Sequence, residues 1–234
     1  MTNFFLELPS YLNRKIKTKK TSFSLTGIDL IIDYIFKKKN GFYIDVGCNH
    51  PVYNNNTFLL HKKGWGGINI DIDTKSIELF NIFRAKDLNL NVAASSKKTV
   101  LDYLYFHDKS PINKIKSKEN NNEQSFQKIK KINSDTLDSI IENSVYKNKE
   151  IDFLSIDVEG HELEVIKGFN LQKYKPRIIV IEYLDKSLKK IEIKNFNLQN
   201  ILNSKIHQIM INNGYNIVNW LHSDLIYAHN SFKD

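Results

Sequence analysis

A single cysteine, Cys48, among 234 residues leaves no partner for an intramolecular disulfide, which makes a reducing cytoplasm the expected setting. Cys48 reads as a small residue in its turn, not as a metal thiolate. No stretch approaches the roughly 20 consecutive apolar residues of a membrane-spanning helix, so a soluble protein is expected. The first 20 residues place their charge after the apolar ones and carry no small-residue cleavage site, which argues against a secretory leader. Internal repeats are absent. So is a G-x-G-x-x-G turn, and with it the close backbone approaches that cradle a pyrophosphate.

What the chain does have is 41% hydrophobic residues, enough for one good core and one domain, with residues 1–40 as an N-terminal helical extension to a domain over 41–234. The net charge of +8 raises the question of a nucleic-acid partner. That excess is mostly Lys amid abundant Asn and Ile, and an Asn-Pro-Pro-Tyr motif, an RNP-like module and a zinc module are all missing. Basic residues gather in 108–131, which reads as an exposed loop insertion. Phe4, Phe5 and Leu6, followed by basic residues from Arg14 to Lys20, offer a membrane-surface contact, though packing of a terminus is the plainer reading.

The most informative segment is FYIDVGCNH, Phe42 to His50, an apolar strand running into Asp45, Gly47 and Asn49. GINIDID, Gly67 to Asp73, follows about 25 residues later, the length of a strand, turn, helix and return strand. Gly47 lets the backbone pass close to a ligand, Asp45 and Asn49 supply polar groups, and Asp71 stands where an acidic residue accepts from ribose hydroxyls. Without a phosphate cradle, a nucleoside cofactor lacking phosphate fits best, and S-adenosylmethionine is the choice.

Helical spacing runs from Leu25 to Phe36, and strands are expected at Phe42–Val46, Ile68–Asp71, Leu88–Ala93, Thr99–Phe106, Ile151–Ile156 and Arg177–Ile181. Helices are expected at Asn56–Lys63, after Asp73 or Thr74 with Ile77, Phe80 and Arg84 on one side, over Asp135–Val145, from Leu163 to Phe169, and as one stretch over Leu198–Asn213. Gly214–Val218 and Leu225–Tyr227 read as a closing antiparallel pair. Strands alternating with helices give an α/β fold, a parallel sheet with helices on both faces. Asp45, Asp71, Asp157 and Glu182 then share one rim.

The segment IDFLSIDVEGHELEVIKGF resembles the FkbM family of S-adenosylmethionine-dependent methyltransferases. YIDVGCNHPVYNNNT, GWGGINIDID, VAASSKK and TLDSII resemble further motifs of that family in order, over about Gly41 to Asp185. Where the family has Glu-Pro, this chain has Asp71-Ile72, which keeps the carboxylate and shortens its reach. The resemblance implies a Rossmann-like class I methyltransferase fold on a mostly parallel seven-stranded sheet, and O-methylation of a hydroxyl on a sugar, glycan or small metabolite. It implies Asp45, Gly47 and Asn49 at the methionine end of the cofactor, Asp71 at the ribose, and Asp73, Val92 and Ala93 at the adenine.

A hydroxyl acceptor needs an in-line approach and a base. Asp157, His161 and Glu182 are the catalytic candidates, His161 because imidazole titrates near neutrality and Asp157 because it ends a strand facing cofactor and acceptor. Glu159 and Glu162 are explained by the helix dipole. Asp157 and Glu182 are of the right chemistry for a hard divalent cation, but a site without metal is the expectation. Two other functions compete: an RNA ribose 2′-O-methyltransferase and a catalytically silent scaffold that keeps the fold.

Overall fold

The computed structural model describes residues 20–117, 126–183 and 198–232. Phe4–Leu6, the basic run as far as Lys19 and the Asn-rich middle of the 108–131 segment lie outside them.

Helix α1 (Ile28–Phe36) precedes β1 (Phe42–Val46), followed by α2 (Phe58–Lys62), β2 (Gly66–Asp71), α3 (Thr74–Phe83) and β3 (Leu88–Asn91). Next come β4 (Ala93–Ala94), β5 (Thr99–Tyr105), β6 (Lys114–Ile115), β7 (Lys128–Asp135), α4 (Leu137–Glu142) and β8 (Phe153–Ile156). The described chain closes with α5 (Glu162–Lys167), α6 (Leu171–Tyr174), β9 (Ile178–Glu182), α7 (Leu198–Leu202), α8 (Lys205–Asn212), β10 (Tyr215–Leu221) and β11 (Asp224–His229).

The main sheet has seven strands in the order β10-β11-β9-β8-β1-β2-β3. The pairings from β9 to β3 are parallel, and β11 runs antiparallel to both β9 and β10. The α/β class therefore holds, with a sheet of mixed direction. Side chains alternate across β1: Phe42, Ile44 and Val46 enter a core with Val165 and Ile166 of α5 and Met210 of α8, whereas Tyr43 packs with Ile28 and Ile32 of α1 and Leu60 of α2. Both faces are thus covered, as a buried parallel sheet requires. Ile28 and Ile32, within the expected N-terminal extension, are fully buried against the sheet.

Three expectations change, the first being that Leu88–Ala93 is not one strand, since β3 ends at Asn91 in the main sheet and Ala93–Ala94 pair with β7 in another. The 108–131 segment is not all loop: β7 takes Lys128, Lys130 and Lys131 into a second, four-stranded sheet ordered β4-β7-β5-β6. The lysines obscured a strand whose ladder partner, β5, lies far upstream, and Lys128 and Lys130 lie over the Tyr105 ring. The stretch Leu198–Asn213 is two helices, because Ser204 adopts an extended conformation and its hydroxyl accepts from His207 N at 3.1 Å, capping α8.

Candidate active site

The chain leaves β1 toward β2 and β3, then returns to place β8 on the other side, so β1 and β8 mark the point where strand order reverses and ligands of such sheets bind. A cleft opens there. One part, about 480 Å³ including its mouth, is lined by Gly47, Asn49, Asp71, Val92, Ala93, Asp157 and His161 among others. A wider part shares Gly47, Asn49, Pro111, Asp157 and Glu159 with it and adds Glu182 and Asp224.

At the β1 end, the amides of Gly47 and Cys48 both donate to Ile70 O, at 2.9 and 3.2 Å, which fastens the turn to β2. Gly47 has φ +80°, and a Cβ there would lie 1.7 Å from the Asp157 carbonyl oxygen. The glycine is thus demanded by the close approach of the β8 end, a reason sequence alone did not supply. Cys48 points away from the turn and packs with Ile77 and Phe80 of α3.

Asp71 joins the two strand ends. Its Oδ2 accepts from Asn49 N at 2.8 Å and its Oδ1 from Asp73 N at 2.7 Å. A carboxylate has about four acceptor positions, so two remain for a ligand. Burial raises its pKa to about 6, with the two amide bonds pulling the other way.

Asp45 and Asp73 are not brought to the cleft wall. Asp45 is buried on the α2 side of β1, where it accepts from Thr57 Oγ1 at 2.8 Å and Asn55 Nδ2 at 3.1 Å. Desolvation raises its pKa and the Arg84 charge opposes that rise. Asp73 caps α3 by accepting from Ser76 N at 3.0 Å and receives Asn113 Nδ2 at 3.3 Å. Val92 and Ala93 do line the cleft, facing Ile115 of β6.

At the β8 end, Asp157 opens onto the cleft and Glu159 follows with φ +54°. Glu162 reaches back so that Oε1 accepts from Val158 N and Gly160 N, at 3.1 and 2.9 Å, shaping the turn as well as facing the helix N-terminus. Glu182, 7% exposed at the end of β9, stands beside Asp157, and each holds its proton well above the usual carboxylate range because of desolvation and neighbouring carboxylates. His161 is the N-cap residue of α5, and its Nε2 lies 3.0 Å from Ser95 Oγ, on the side of Val92 and Ala93. Burial lowers its pKa. Of the three catalytic candidates, Asp157 and Glu182 come together and His161 stands apart from Glu182's part of the cleft.

Sequence reasoning missed Pro111, Asn113 and Ile115, which form one wall. They belong to the segment read as loop, where Ile112 and Ile115, three residues apart, give no strand alternation to read. It also left Arg84 as a helix-face residue. Arg84 is 1% exposed and donates to Pro51 O, Asn55 Oδ1, Thr57 Oγ1 and Tyr43 Oη, tying the 51–57 segment to the floor of the site.

Fold and cleft together define an α/β protein with a cleft across the carboxyl edge of parallel strands at the reversal of strand order, the place where ligands of such sheets bind. Within that class, the chain belongs to the FkbM methyltransferase family, since the family model described as methyltransferase FkbM domain matches residues 45–217. Comparison with curated proteins and with solved structures gave no match. The matched span holds every candidate site residue. Among the described residues no helix is long and apolar enough to cross a membrane.

Proposed function

We propose that the protein is an S-adenosylmethionine-dependent O-methyltransferase acting on a hydroxyl of a sugar, glycan or small metabolite. The observation that carries this reading is the two-part cleft, whose parts meet at Gly47, Asn49, Pro111, Asp157 and Glu159. The strand order, with β11 alone running against six others, supports the Rossmann-like class I form of the fold.

The residues present suit the cofactor. Val92, Ala93 and Ile115 offer an apolar slot for adenine, the two free acceptor positions of Asp71 suit ribose hydroxyls, and Gly47 and Asn49 bound the methionine end. Bound there, S-adenosylmethionine supplies an electrophilic methyl group on sulfur. Asp157, at the junction, receives the acceptor hydroxyl by hydrogen bond, orients its oxygen toward the cofactor side and takes its proton when the Asp157–Glu182 pair has lost one of its own. Asp45 and Asp73 act behind the wall, Asp45 by holding Asn55 and Thr57, Asp73 by holding α3 and Asn113.

Among the described residues the wider part is lined by four carboxyl side chains and by no Lys or Arg, so it offers no cation to a phosphate backbone, which supports an uncharged acceptor over RNA. A labelled-methyl assay against pooled glycans, small hydroxylated metabolites and RNA is the direct test. Transfer to the hydroxylated pools is expected; transfer to RNA alone would reverse the acceptor assignment, and absence of S-adenosylmethionine binding by titration calorimetry would leave the scaffold reading.

His161 gives a separate expectation. His161→Ala should weaken cofactor affinity about threefold to tenfold, the worth of a neutral hydrogen bond, with kcat unchanged at saturating cofactor. A loss confined to kcat would return His161 to the role of base.

A further inference from the structure

Left-handed backbone is concentrated around the wider part of the cleft. Of the seven non-glycine described residues with positive φ, four line it: Asn49, Asn54, Glu159 and His222. Such conformations are uncommon outside glycine and gather where a fold holds a functional surface. Asn54 and His222 border only this part and come from loops far apart in the chain.

His222 opens the two-residue turn between β10 and β11 at φ +55°, a place where glycine or asparagine is the usual occupant. The turn is pinned: Trp220 Nε1 donates to His222 O at 3.0 Å, and Tyr183 N, just past β9, donates to Ser223 O at 2.7 Å. The ring Nδ1 lies 3.1 Å from Ser223 Oγ, which fixes the imidazole and leaves Nε2 without a partner among the described residues.

The run Asn54-Asn55-Asn56 divides its side chains between two jobs. Asn55 turns inward to Asp45 and Arg84, whereas Asn54 and Asn56 border the cleft. Asn56 Nδ2 donates to Ser155 Oγ of β8 at 3.1 Å, so its amide is held with the oxygen open to a donor. Asn54, at φ +47°, is solvent-exposed. The Arg84 network that anchors Asn55 therefore also sets the positions of its two neighbours.

We infer that Asn54, Asn56 and His222 form the acceptor-recognition wall of the cleft, and that the acceptor they select is an uncharged pyranose ring with neighbouring hydroxyls. Amide and neutral imidazole side chains combine donor and acceptor atoms, the pattern that pairs with hydroxyls. Among the described residues no Lys or Arg lines this part, so a carboxylate or phosphate on the acceptor would find no counter-charge. Leu25 and Ile112, 74% and 45% exposed, border the same space and offer apolar surface to the C–H face of a ring. Methylating one hydroxyl among several requires the ring to be held by the others, because only a placed oxygen meets the methyl group in line. The wall's role toward the acceptor rests on the methyl-transfer reading, whereas its affinity for the ring does not.

Saturation-transfer NMR on the full-length protein, with methyl glucoside, galactoside and mannoside and with the corresponding uronates and sugar phosphates, is the test. At least one neutral glycoside should bind saturably, with its charged counterparts weaker by about tenfold or more. His222→Gly and Asn56→Ala should each weaken that binding about threefold to tenfold, the worth of a neutral hydrogen bond, with S-adenosylmethionine affinity by calorimetry unchanged. Glycine suits the positive φ, so His222→Gly should keep the wild-type melting temperature, which separates a lost contact from a lost fold. Failure of every pyranoside to bind, equal binding of charged and neutral sugars, or wild-type binding by both variants overturns the wall. Sugar binding with this variant pattern in a protein that transfers no methyl group upholds the wall and removes the transfer reading. Methyl transfer to another hydroxylated compound by a protein that binds no pyranoside does the reverse.

Discussion

Arg84→Ala is expected to lower the free energy of unfolding by about 3–5 kcal/mol, the cost of breaking a buried charge network from one side. The guanidinium donates twice to Pro51 O, at 3.0 Å from Nε and 2.6 Å from Nη2, and reaches Asn55 Oδ1 and Thr57 Oγ1 at 2.7 Å each. It also lies 4.9 Å from the Phe80 ring centroid and 5.5 Å from that of Phe58. Truncation removes the charge that offsets buried Asp45 and leaves several acceptors dry. Asn55 and Thr57, which Arg84 holds, are the partners of Asp45, and Asn55 Nδ2 also donates to Cys48 O in the β1 turn at 3.1 Å. Loss of the network should therefore loosen the turn that ends in Asn49. Urea denaturation measures the first effect and calorimetry with S-adenosylmethionine the second. Arg84→Lys should recover only part of the stability, because an ammonium cannot span the fork of acceptors. An Arg84→Ala midpoint equal to that of wild type would show the network to be ornamental.

Asp71→Ala is expected to reduce S-adenosylmethionine affinity by about 100-fold or more, because two hydrogen bonds to a charged acceptor contribute roughly 1.5–3 kcal/mol each. The same change frees Asn49 N and Asp73 N, so binding and the shape of both strand ends fail together. Its pH dependence follows from the raised pKa of about 6. Ribose hydroxyls donate to the ionised form, so affinity is full above that pH and lost as pH falls through it, by up to about tenfold per unit. Asp71→Asn should bind weakly with no such dependence. Calorimetry between pH 5 and about 8 on wild type and Asp71→Asn separates the Asp71 contribution from that of other cleft groups such as Asp157. A wild-type affinity flat across that range would place the ribose elsewhere.

These two residues illustrate what could be read from the chain and what could not. Asp71 was legible because a strand-end acid has a local signature: an apolar run, a carboxylate, then a helix cap in Asp73. Arg84 was not, because its spacing with Ile77 and Phe80 says only which side of α3 it occupies. Whether that side meets oil or acceptors depends on Pro51, Asn55 and Thr57, brought there by the return of another loop. Asp45 was misplaced by the same limit. It lies in β1, two residues before the turn at Gly47, and faces the α2 side of the sheet, where its carboxylate accepts from Asn55 and Thr57.

The sequence by itself determined the alternation of strands and helices, the strand-end acids and the membership in a methyltransferase family, because each is written in local periodicity or in short ordered motifs. Only the tertiary structure decided that β7 is a strand, that Pro111, Asn113 and Ile115 wall the cleft, and that Glu182 lies buried beside Asp157. Those facts depend on contacts between segments far apart in the chain, whose geometry is set by packing of the whole sheet and leaves no trace in the neighbours of any one residue.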